Sequence, residues 1–554
     1  MVEIWILRQI RWIFFWVYLW QLKEYHIGRF LAHFSTAQGK RLLLQPLVYL
    51  KIFLLCVFLG VVFIGSYARE ALQNSSILGW AFLFVFVSAG FLSFLVYALE
   101  GIRAVLSVLR RTMRMPVFTK KTVILVVSVI FAQFVLLALF GASLEPASLF
   151  FANKKDAFYV TGSIASITLI TLDLLNPIIV SAVVLAFQPF AVLARNRIIR
   201  QAREKRKKFK NLKVVGITGS YGKTSTKEFL AYILGQKFQV LKTPKHMNSE
   251  MGIAQTILRS LTDEHDIFVC EMGAYNKGGI KLLADIVKPD IGIVTGVNEQ
   301  HLATFGSMEN LLSAEGGGEL AEALPKEGVL FVNQNAISRL ADKIHYNAKC
   351  KVSTPQIPQA KVAKDHIFFE VEGVSFRVPV YGGHNVQNLL LAIAAARELG
   401  MKLEKIAKAS ELMPLELSAM KVKKVQSGAT VIDSTYSANP DGVIADLEYL
   451  NLYEGKKVLV MPCLIELGPA ATEAHRRIGQ KIAEVCDLAI ITTKEHFKDI
   501  QEGVGGSEKV VYMDSAQGIL EKIKGSNAIL LEGGKESRLQ LKLLELLWGE
   551  GRDV

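Results

Sequence analysis

The sequence predicts an α-helical transmembrane region followed by two α/β domains. Residues 1–195 are overwhelmingly apolar, whereas the rest of the chain has the composition of an ordinary globular protein. From residue 213 onward, short β-branched segments alternate with helical patterns, which indicates parallel sheets flanked by helices. A break near Pro414 separates two such series, so two α/β domains are expected.

The overall composition sets further bounds. A chain of 554 residues is expected to hold two to four domains. The formal charge of +14 is compatible with nucleic-acid binding, but much of the excess lies beside apolar segments, where a membrane explains it more simply. The five cysteines have no metal-type spacing and indicate neither a disulfide framework nor a zinc site.

The apolar first third predicts four or five transmembrane helices within residues 1–195. Four stretches reach the ~20 residues that a span needs: 46–67, 80–99, 122–143 and 162–190. We take the middles of these spans to be free of ionisable residues, which argues against an ion pathway. Segment 4–21 carries Arg8 and Arg11 and is compatible with a span or with a helix lying in the membrane interface.

The basic residues predict the orientation. Loop 101–121 is rich in Arg and Lys, and the stretch after the last span is richer still. Because such loops stay in the cytoplasm, everything after residue 195 is expected there, in a multi-pass protein of the bacterial inner membrane. Residues 196–212 are predicted to form a basic juxtamembrane linker that contacts membrane lipids. A nucleic-acid patch is the disfavoured alternative, and we expect no nucleic-acid partner.

A glycine-rich segment follows the first predicted strand. Val214–Thr218 leads into Gly219-Ser-Tyr-Gly222-Lys223-Thr224-Ser225, and a helical pattern comes next. Glycines let backbone N–H groups approach phosphate oxygens, and a helix N-terminus favours negative charge. Lys223 can reach the β- and γ-phosphates of ATP, and a hydroxyl of Thr224 or Ser225 can bind Mg²⁺. A loose surface turn is the minority alternative.

Further motifs follow in a fixed order. They are Glu271-Met-Gly-Ala274, Asn298-Glu-Gln-His301-Leu, Gly383-His384-Asn385-Val-Gln-Asn388 and Asp433-Ser-Thr-Tyr436-Ser-Ala-Asn439-Pro440, and then Glu466-Leu-Gly468 and His475. Together with the short phosphate loop, this series resembles the Mur ligases from about residue 212 to 545. The likeness is greatest to the branch that adds D-alanyl-D-alanine to a UDP-muramoyl-tripeptide.

The resemblance implies roles for individual residues. Lys223, Glu315 and His301 would serve catalysis, and Thr224, Glu271 and His301 would serve Mg²⁺. The nucleotide would be held by Gly219, Ser220, Gly222, Lys223, Thr224, Ser225, Asn385, Asn388, Asp433, Tyr436 and Asn439. Within this set, the two asparagines of the third motif would face adenine and Asp433 the ribose. On the residues alone, Asn385 could equally cap a helix.

The sequence departs from the family pattern in four places. Transmembrane helices stand where the family has a domain for the UDP-sugar. Glu315 stands roughly where the family has a carbamoylated lysine, and it could supply a carboxylate of the same sign. The arginine of a Gly-Arg-Met-Glu segment is missing from the run Ser418-Ala419-Met420-Lys421, and the substrate-side Asn-x-Asn-Asn run is reduced to His246-Met-Asn248-Ser249.

The sequence therefore predicts a membrane-anchored, ATP-dependent amide ligase of peptidoglycan precursor synthesis. A P-loop-type central domain (213–413) would be followed by a Rossmann-like C-terminal domain (414–554). A carboxylate would attack the γ-phosphate of ATP, and an amino-acid or dipeptide amine would displace phosphate from the acyl phosphate, leaving ADP. Two alternatives stay open: the same chemistry with another product, such as a poly-amino-acid or a modified lipid-linked precursor, and a non-catalytic ATP-binding scaffold.

Overall fold

A computed structural model divides the chain into two units by their internal contacts, Met1–Ala194 and Arg195–Val554. The structure describes residues 2–23, 25, 27–34, 37–67, 75–110, 112–142, 154–245, 247–334, 346, 348–417, 420–435, 438–506, 508–533 and 537–548.

The first unit is a bundle of apolar helices. Its helices, the last of which extends beyond the unit, are α1 (Val2–Leu22), α2 (Ile27–His33), α3 (Ala37–Leu43), α4 (Pro46–Tyr67), α5 (Ser76–Leu109), α6 (Lys120–Ala142) and α7 (Lys154–Lys208). Four helical stretches of the described chain are long and apolar enough to cross a membrane: Gly39–Ile64, Ile77–Leu109, Lys120–Ala142 and Thr161–Lys208. They overlap the four predicted spans, so the prediction of four long apolar helices is confirmed. Segment 4–21 is helical, with Trp16 and Trp20 buried against Val180 and Val184 of α7.

A buried cluster of four charges lies inside the first unit. Arg8 of α1 and Lys51 of α4 each pair with both Glu100 of α5 and Asp173 of α7. Lys51 Nζ is 2.6 Å from Glu100 Oε2 and 2.7 Å from Asp173 Oδ2. The expectation that the spans carry no interior charge was wrong, because Asp173 lies well inside 162–190. Two positive and two negative charges compensate one another, which lowers the cost of burying them.

The basic stretch 196–212 is not a separate linker, which corrects the sequence-based expectation. Helix α7 continues to Lys208, and Ala202 lies fully buried in the core of the second unit. Arg206 is buried as well, and its Nε donates to the carbonyl of Val287 at 2.8 Å. Apolar residues spaced along one face of a basic segment make an amphipathic helix, and that face packs here.

A six-stranded parallel sheet forms the middle of the second unit. The strand order is β2-β3-β1-β4-β5-β6, and every neighbouring pair is parallel. Its strands are β1 (Lys213–Thr218), β2 (Val240–Lys242), β3 (Ile267–Glu271), β4 (Ile291–Val294), β5 (Val329–Val332) and β6 (Lys351–Ser353). The helices that cover it are α8 (Lys223–Leu234), α9 (Glu250–Ser260), α10 (Gly279–Val287), α11 (Leu302–Phe305), α12 (Met308–Ala314) and α13 (Gly318–Ala323).

The chain turns between two short helices beside Glu315. Helix α12 ends before Glu315, and α13 begins after Gly317, which has φ = 90°. Glycine adopts this left-handed backbone without steric cost, so Gly317 turns the chain and leaves Glu315 at a helix end.

The remainder of the second unit is a short antiparallel sheet and a second α/β layer. The short sheet contains β7 (Lys361–Val362), β8 (Ile367–Val371) and β9 (Val374–Val378), and is followed by α14 (Asn385–Glu398) and α15 (Leu403–Glu411). The last sheet has the order β10-β11-β15-β12-β13-β14. Its strands are β10 (Lys421–Lys424), β11 (Thr430–Ser434), β12 (Lys457–Met461), β13 (Leu488–Ile491), β14 (Val510–Tyr512) and β15 (Ala528–Glu532). Its helices are α16 (Pro440–Leu450), α17 (Ala471–Val485), α18 (Phe497–Gly503), α19 (Ala516–Lys522) and α20 (Arg538–Trp548). Strand β10 is antiparallel to β11, so this sheet is mixed rather than purely parallel.

Candidate nucleotide and metal site

The phosphate loop lies between β1 and α8, at the carboxyl end of the parallel sheet. Gly219 has φ = 139° and Gly222 has φ = 81°. A Cβ on Gly219 would lie 2.1 Å from Thr295 Oγ1, and one on Gly222 would lie 2.5 Å from Asn388 Oδ1. Both the backbone conformation and the close neighbours therefore require glycine at these two positions.

Glu315 is the carboxylate nearest to Lys223. The Lys223 ammonium donates to the Gly219 carbonyl and lies 3.9 Å from Glu315 Oε1. Ser220 Oγ donates to Glu315 Oε2 at 2.7 Å. The structure thus brings Lys223, Ser220 and Glu315 together, as the site assignment requires.

His301 completes this cluster. Its Nδ1 lies 3.0 Å from Glu315 Oε1, and its ring meets that of Tyr275 edge to face. Burial raises the pKa of Glu315, but His301, Lys223 and the hydrogen bonds from His301 and Ser220 outweigh burial and bring the pKa below its usual value. Glu315 is only 1% exposed, so it is a buried carboxylate kept in its charged form.

Glu271, at the end of β3, is the second carboxylate at the loop. Its Oε2 accepts a hydrogen bond from Thr224 Oγ1 at 3.1 Å and one from Lys227 Nζ at 3.1 Å. Its Oε1 accepts a hydrogen bond from Asn248 Nδ2 at 3.0 Å. Thr224 and Glu271, the residues predicted for the first metal, are therefore neighbours.

This donor set fits Mg²⁺. Within the part of the chain that the structure describes, no group of three or more His, Cys, Asp and Glu side chains is arranged to hold a metal ion. Mg²⁺ commonly takes only one or two protein oxygens and completes its shell with phosphate and water. The hydroxyl of Thr224 and the carboxylate of Glu271 could be those oxygens, while His301 contacts Glu315.

The first turn of helix α14 lies beside the phosphate loop. Asn388 Nδ2 donates to Asn385 Oδ1 at 2.8 Å, and Thr226 Oγ1 donates to Asn388 Oδ1 at 3.3 Å. Asn385 Nδ2 donates to the carbonyl of Tyr381 at 2.8 Å. Asn385 is the first residue of the helix and does not act as its N-cap, so the capping alternative is wrong. The two asparagines form one buried pair beside Gly222.

The C-terminal domain contributes Asn439. Its side chain caps α16 by accepting from Gly442 N, and its Oδ1 also accepts from Asn298 Nδ2 at 2.7 Å. Asp433 Oδ1 accepts from the backbone and hydroxyl of Thr435. This bond fixes the carboxylate at the end of β11, but it does not test the ribose assignment.

Four residues that carried predictions or departures lie outside the described residues. They are Tyr436, His246, Ser418 and Ala419. Ser225 lies inside them and is buried in the first turn of α8.

Sequence analysis assigned no role to two residues that matter for the site, Asn298 and Lys227. Asn298 contacts both Asn439 and Asp441 and so joins the two α/β layers. In the sequence, the position of Asn298 three residues before His301 indicated that it could lie at the site. Lys227 holds Glu271, and its spacing of three from Thr224 on a helix placed it on the same face.

A pair of buried acids in the C-terminal domain was missed as well. Burial, followed by the negative charge of Asp446, raises the pKa of Glu532 well above its usual value. Ser434 Oγ donates to Asp446 Oδ2 at 2.5 Å. The acids come from β15 and α16, which are far apart in the chain, so no local sequence pattern could reveal the pair.

His475, which matches a family histidine, has a structural role here. Its Nε2 accepts from the backbone N–H of Leu464 at 2.9 Å, and its Nδ1 donates to the carbonyl of Ala471 at 2.6 Å. Burial lowers its pKa to about 4. It therefore stays neutral at pH 7 and ties α17 to the segment after β12.

Family models match the same parts of the chain. The model for the Mur ligase middle domain matches residues 217–396, and the model for the Mur ligase, glutamate ligase domain, matches residues 420–533. The chain belongs to the Mur ligase family.

Within that family, curated relatives of this chain include UDP-N-acetylmuramoyl-tripeptide–D-alanyl-D-alanine ligases. The one from Bacillus subtilis (strain 168) is 31% identical over 284 residues, which cover 49% of this chain and 60% of the relative. The one from Mycobacterium leprae (strain TN) is 30% identical over 387 residues, covering 61% and 74%. This chain spans only 60–66% of the length of several relatives, so part of those proteins has no counterpart in the match.

Solved structures show the same fold. MurF from Acinetobacter baumannii superposes with a TM-score of 0.56 at 25% identity, covering 63% of this chain and 80% of that one. MurF ligase from Thermotoga maritima, solved in complex with ADP, gives a TM-score of 0.56 at 24% identity, covering 64% and 84%. The family assignment and the predicted resemblance are confirmed.

Proposed function

We propose that this protein is an ATP- and Mg²⁺-dependent ligase that joins a carboxylate to an amine in peptidoglycan precursor synthesis, releasing ADP and phosphate. Family membership supports the class of reaction. The single observation that carries the proposal for this chain is the phosphate loop with a separate buried carboxylate at each end: Glu271 at Thr224 and Glu315 at Ser220.

The residues present suit each stage of such a reaction. A carboxylate in water is a poor acylating agent. Its attack on the γ-phosphate of ATP breaks the bond to the bridging oxygen, so ADP leaves and the carboxylate becomes an acyl phosphate. The N–H groups of the loop and Lys223 would bind the phosphates and offset the charge that develops on them. Mg²⁺, held by Thr224 and Glu271, would supply further charge neutralisation. The amine then attacks the acyl carbon, and phosphate leaves with the bonding electrons.

Glu315 can account for one departure from the family pattern, the absence of the carbamoylated lysine. Where the family is expected to carry a carbamoylated lysine, this chain has a fixed carboxylate that is ionised and bonded to His301 and Ser220. A carboxylate and a carbamate present the same charge and the same kind of oxygen. We infer that Glu315 serves the second metal without any need for carbon dioxide, and that the departure is an adaptation.

The apolar helices support a multi-pass location in the bacterial inner membrane. Four helices have sufficient length and hydropathy to span, and many large apolar side chains of these helices are exposed. The basic residues of 101–121 and of the end of α7 then place the ligase domains in the cytoplasm, where ATP is available. A substrate attached to a membrane lipid fits this arrangement.

The test is ADP release by the full-length protein in detergent or lipid nanodiscs. Carboxylate substrates would be UDP-linked and lipid-linked muropeptides, each combined with D-alanyl-D-alanine or single amino acids. We expect ADP release that needs both a carboxylate and an amine, with faster turnover of the lipid-linked acid. Tight ATP binding without turnover on any pair would instead support the non-catalytic scaffold. Absence of nucleotide binding would refute both.

A further inference from the structure

Lys227 is a fully buried lysine in the first turns of α8. Its ammonium has three oxygen neighbours: Glu271 Oε2 at 3.1 Å, the Lys245 carbonyl at 2.8 Å and Glu228 Oε1 at 3.3 Å. Its side chain is 0% exposed. A lysine is seldom buried completely unless its charge is paired, and here two carboxylates and a carbonyl compensate it.

The partner that matters for chemistry is Glu271. Only 2% of this residue is exposed, and its position beside the Thr224 hydroxyl makes it the proposed magnesium carboxylate. Lys227 Nζ donates to the same Oε2 that accepts from Thr224, and this bond fixes the rotation of the carboxylate toward Thr224.

The second partner connects Lys227 to a different part of the site. Lys245 follows β2 and has φ = 40°, a left-handed backbone that a non-glycine residue adopts only when its surroundings hold it. Three residues later, Asn248 bonds the other oxygen of Glu271, and its carbonyl accepts from Gly273 N at 2.9 Å. Lys227 and Asn248 therefore hold the two oxygens of one carboxylate, and both are tied to the segment after β2.

We propose that Lys227 is a positioning residue that orients Glu271 for Mg²⁺ and couples the metal site to the chain segment after β2. It acts through Glu271 and need not touch nucleotide or substrate. The inference rests on the proposed function, because it assumes that Glu271 serves the metal. It follows that Lys227 affects the Mg²⁺-dependent part of nucleotide binding and leaves the Mg²⁺-independent part alone.

The test compares three variants of the full-length protein: Lys227→Met, Lys227→Arg and Lys242→Met. Lys242 is the matched control, because it is exposed and contacts Glu228, one of the partners of Lys227, but has no bond to Glu271. Calorimetric titration with ADP is carried out in EDTA and across a range of Mg²⁺ concentrations. Thermal unfolding of each variant gives a separate measure of folding.

For Lys227→Met we expect the Mg²⁺ concentration for half-maximal tightening of ADP binding to rise about tenfold or more, the usual effect of losing a partner that orients a metal ligand. ADP affinity in EDTA should stay unchanged. Lys227→Arg should recover much of the Mg²⁺ response, and Lys242→Met should behave as the unmodified protein.

An unchanged or tighter Mg²⁺ response in a folded Lys227→Met protein would overturn the proposal, since it would mean that the lysine is structural or merely repels the ion. If Lys227→Met does not fold, Lys227→Met/Glu271→Gln removes both charges together. It should then match Glu271→Gln alone in its Mg²⁺ response, and an additional loss would contradict action through Glu271. If the unmodified protein itself binds no Mg²⁺-nucleotide, the proposed function fails rather than the role of Lys227.

Discussion

Two buried charge clusters in this protein differ in the roles that we propose for them. In the helical unit, Arg8 and Lys51 face Glu100 and Asp173, and the four charges cancel. At the phosphate loop, Glu271 pairs with Lys227 and Glu315 with His301, and these carboxylates lie beside the residues proposed to hold Mg²⁺ and ATP. The first cluster pairs charges within the helical unit. The second, under the proposed function, also serves a ligand.

The largest effect should follow from removing the cation that faces the phosphates. Lys223→Met should lower the rate of ADP release about 10³-fold, because it removes a pre-organised charge that stabilises the transition state. The protein should remain folded, since Lys223 lies at the edge of the site. The matched control is Lys213→Met, an exposed lysine at the start of β1 that pairs only with Asp290. Comparable loss of turnover in both variants would contradict the assignment.

Changes in the four-charge cluster of the helical unit should affect the stability of the protein rather than its activity. Asp173→Asn leaves two buried cations facing one carboxylate and should cost about 3 kcal/mol of unfolding free energy. Thermal unfolding in detergent would measure it. The exchange Arg8→Asp with Asp173→Arg keeps the charges balanced and should restore part of the loss. Arg103→Ala, an exposed residue of α5, should have little effect. Equal destabilisation by Arg103→Ala would show that the cluster has no special role.

The comparison also shows what could be predicted from sequence. The sequence could single out the phosphate loop, Glu271 and His301 because each lies in a local motif. The four-charge cluster could not be singled out in this way, since its members lie on four helices and only packing brings them together. The same limit applies to the pair formed by Asp446 and Glu532.

How closely an element could be predicted depended on how its apolar residues are arranged in the sequence. Strand β1 was predicted closely, because a buried parallel strand is a continuous apolar run. Strands β2 and β10 carry no such signal, as both are short edge strands with lysines. The end of α7 was interpreted as a linker because its many basic residues outnumber the apolar residues that lie along one face of the helix.

Substitutions of Glu315 test the charge cluster at the phosphate loop. Glu315→Gln keeps the shape and removes the charge, so ADP release should fall about 10²-fold, as expected for loss of one charged group in a pre-organised site. In the unmodified protein the pKa of Glu315 is below its usual value, so this carboxylate should remain ionised as the pH falls through the normal range for glutamate. Glu315→Lys decides between adaptation and decay: loss of activity supports an adapted carboxylate, and a gain in the presence of bicarbonate supports a decayed lysine site.

His475 extends the comparison to a buried group that is kept neutral, and its effect should be the smallest of the four. Its pKa is about 4 in the folded protein because burial disfavours the charged ring, whereas an unfolded histidine titrates near 6.5. The unfolded state therefore binds the proton more readily, and the histidine destabilises the fold progressively as the pH falls from about 6.5 to 4. We expect this loss of stability to be visible as a falling melting temperature. His475→Gln should have a lower melting temperature at pH 7.5 than the unmodified protein, but its melting temperature should depend less on pH. The control is His366→Gln, at a partly exposed site, which should keep the pH dependence of the unmodified protein. An unaltered pH dependence in His475→Gln would assign the acid sensitivity to the paired carboxylates instead.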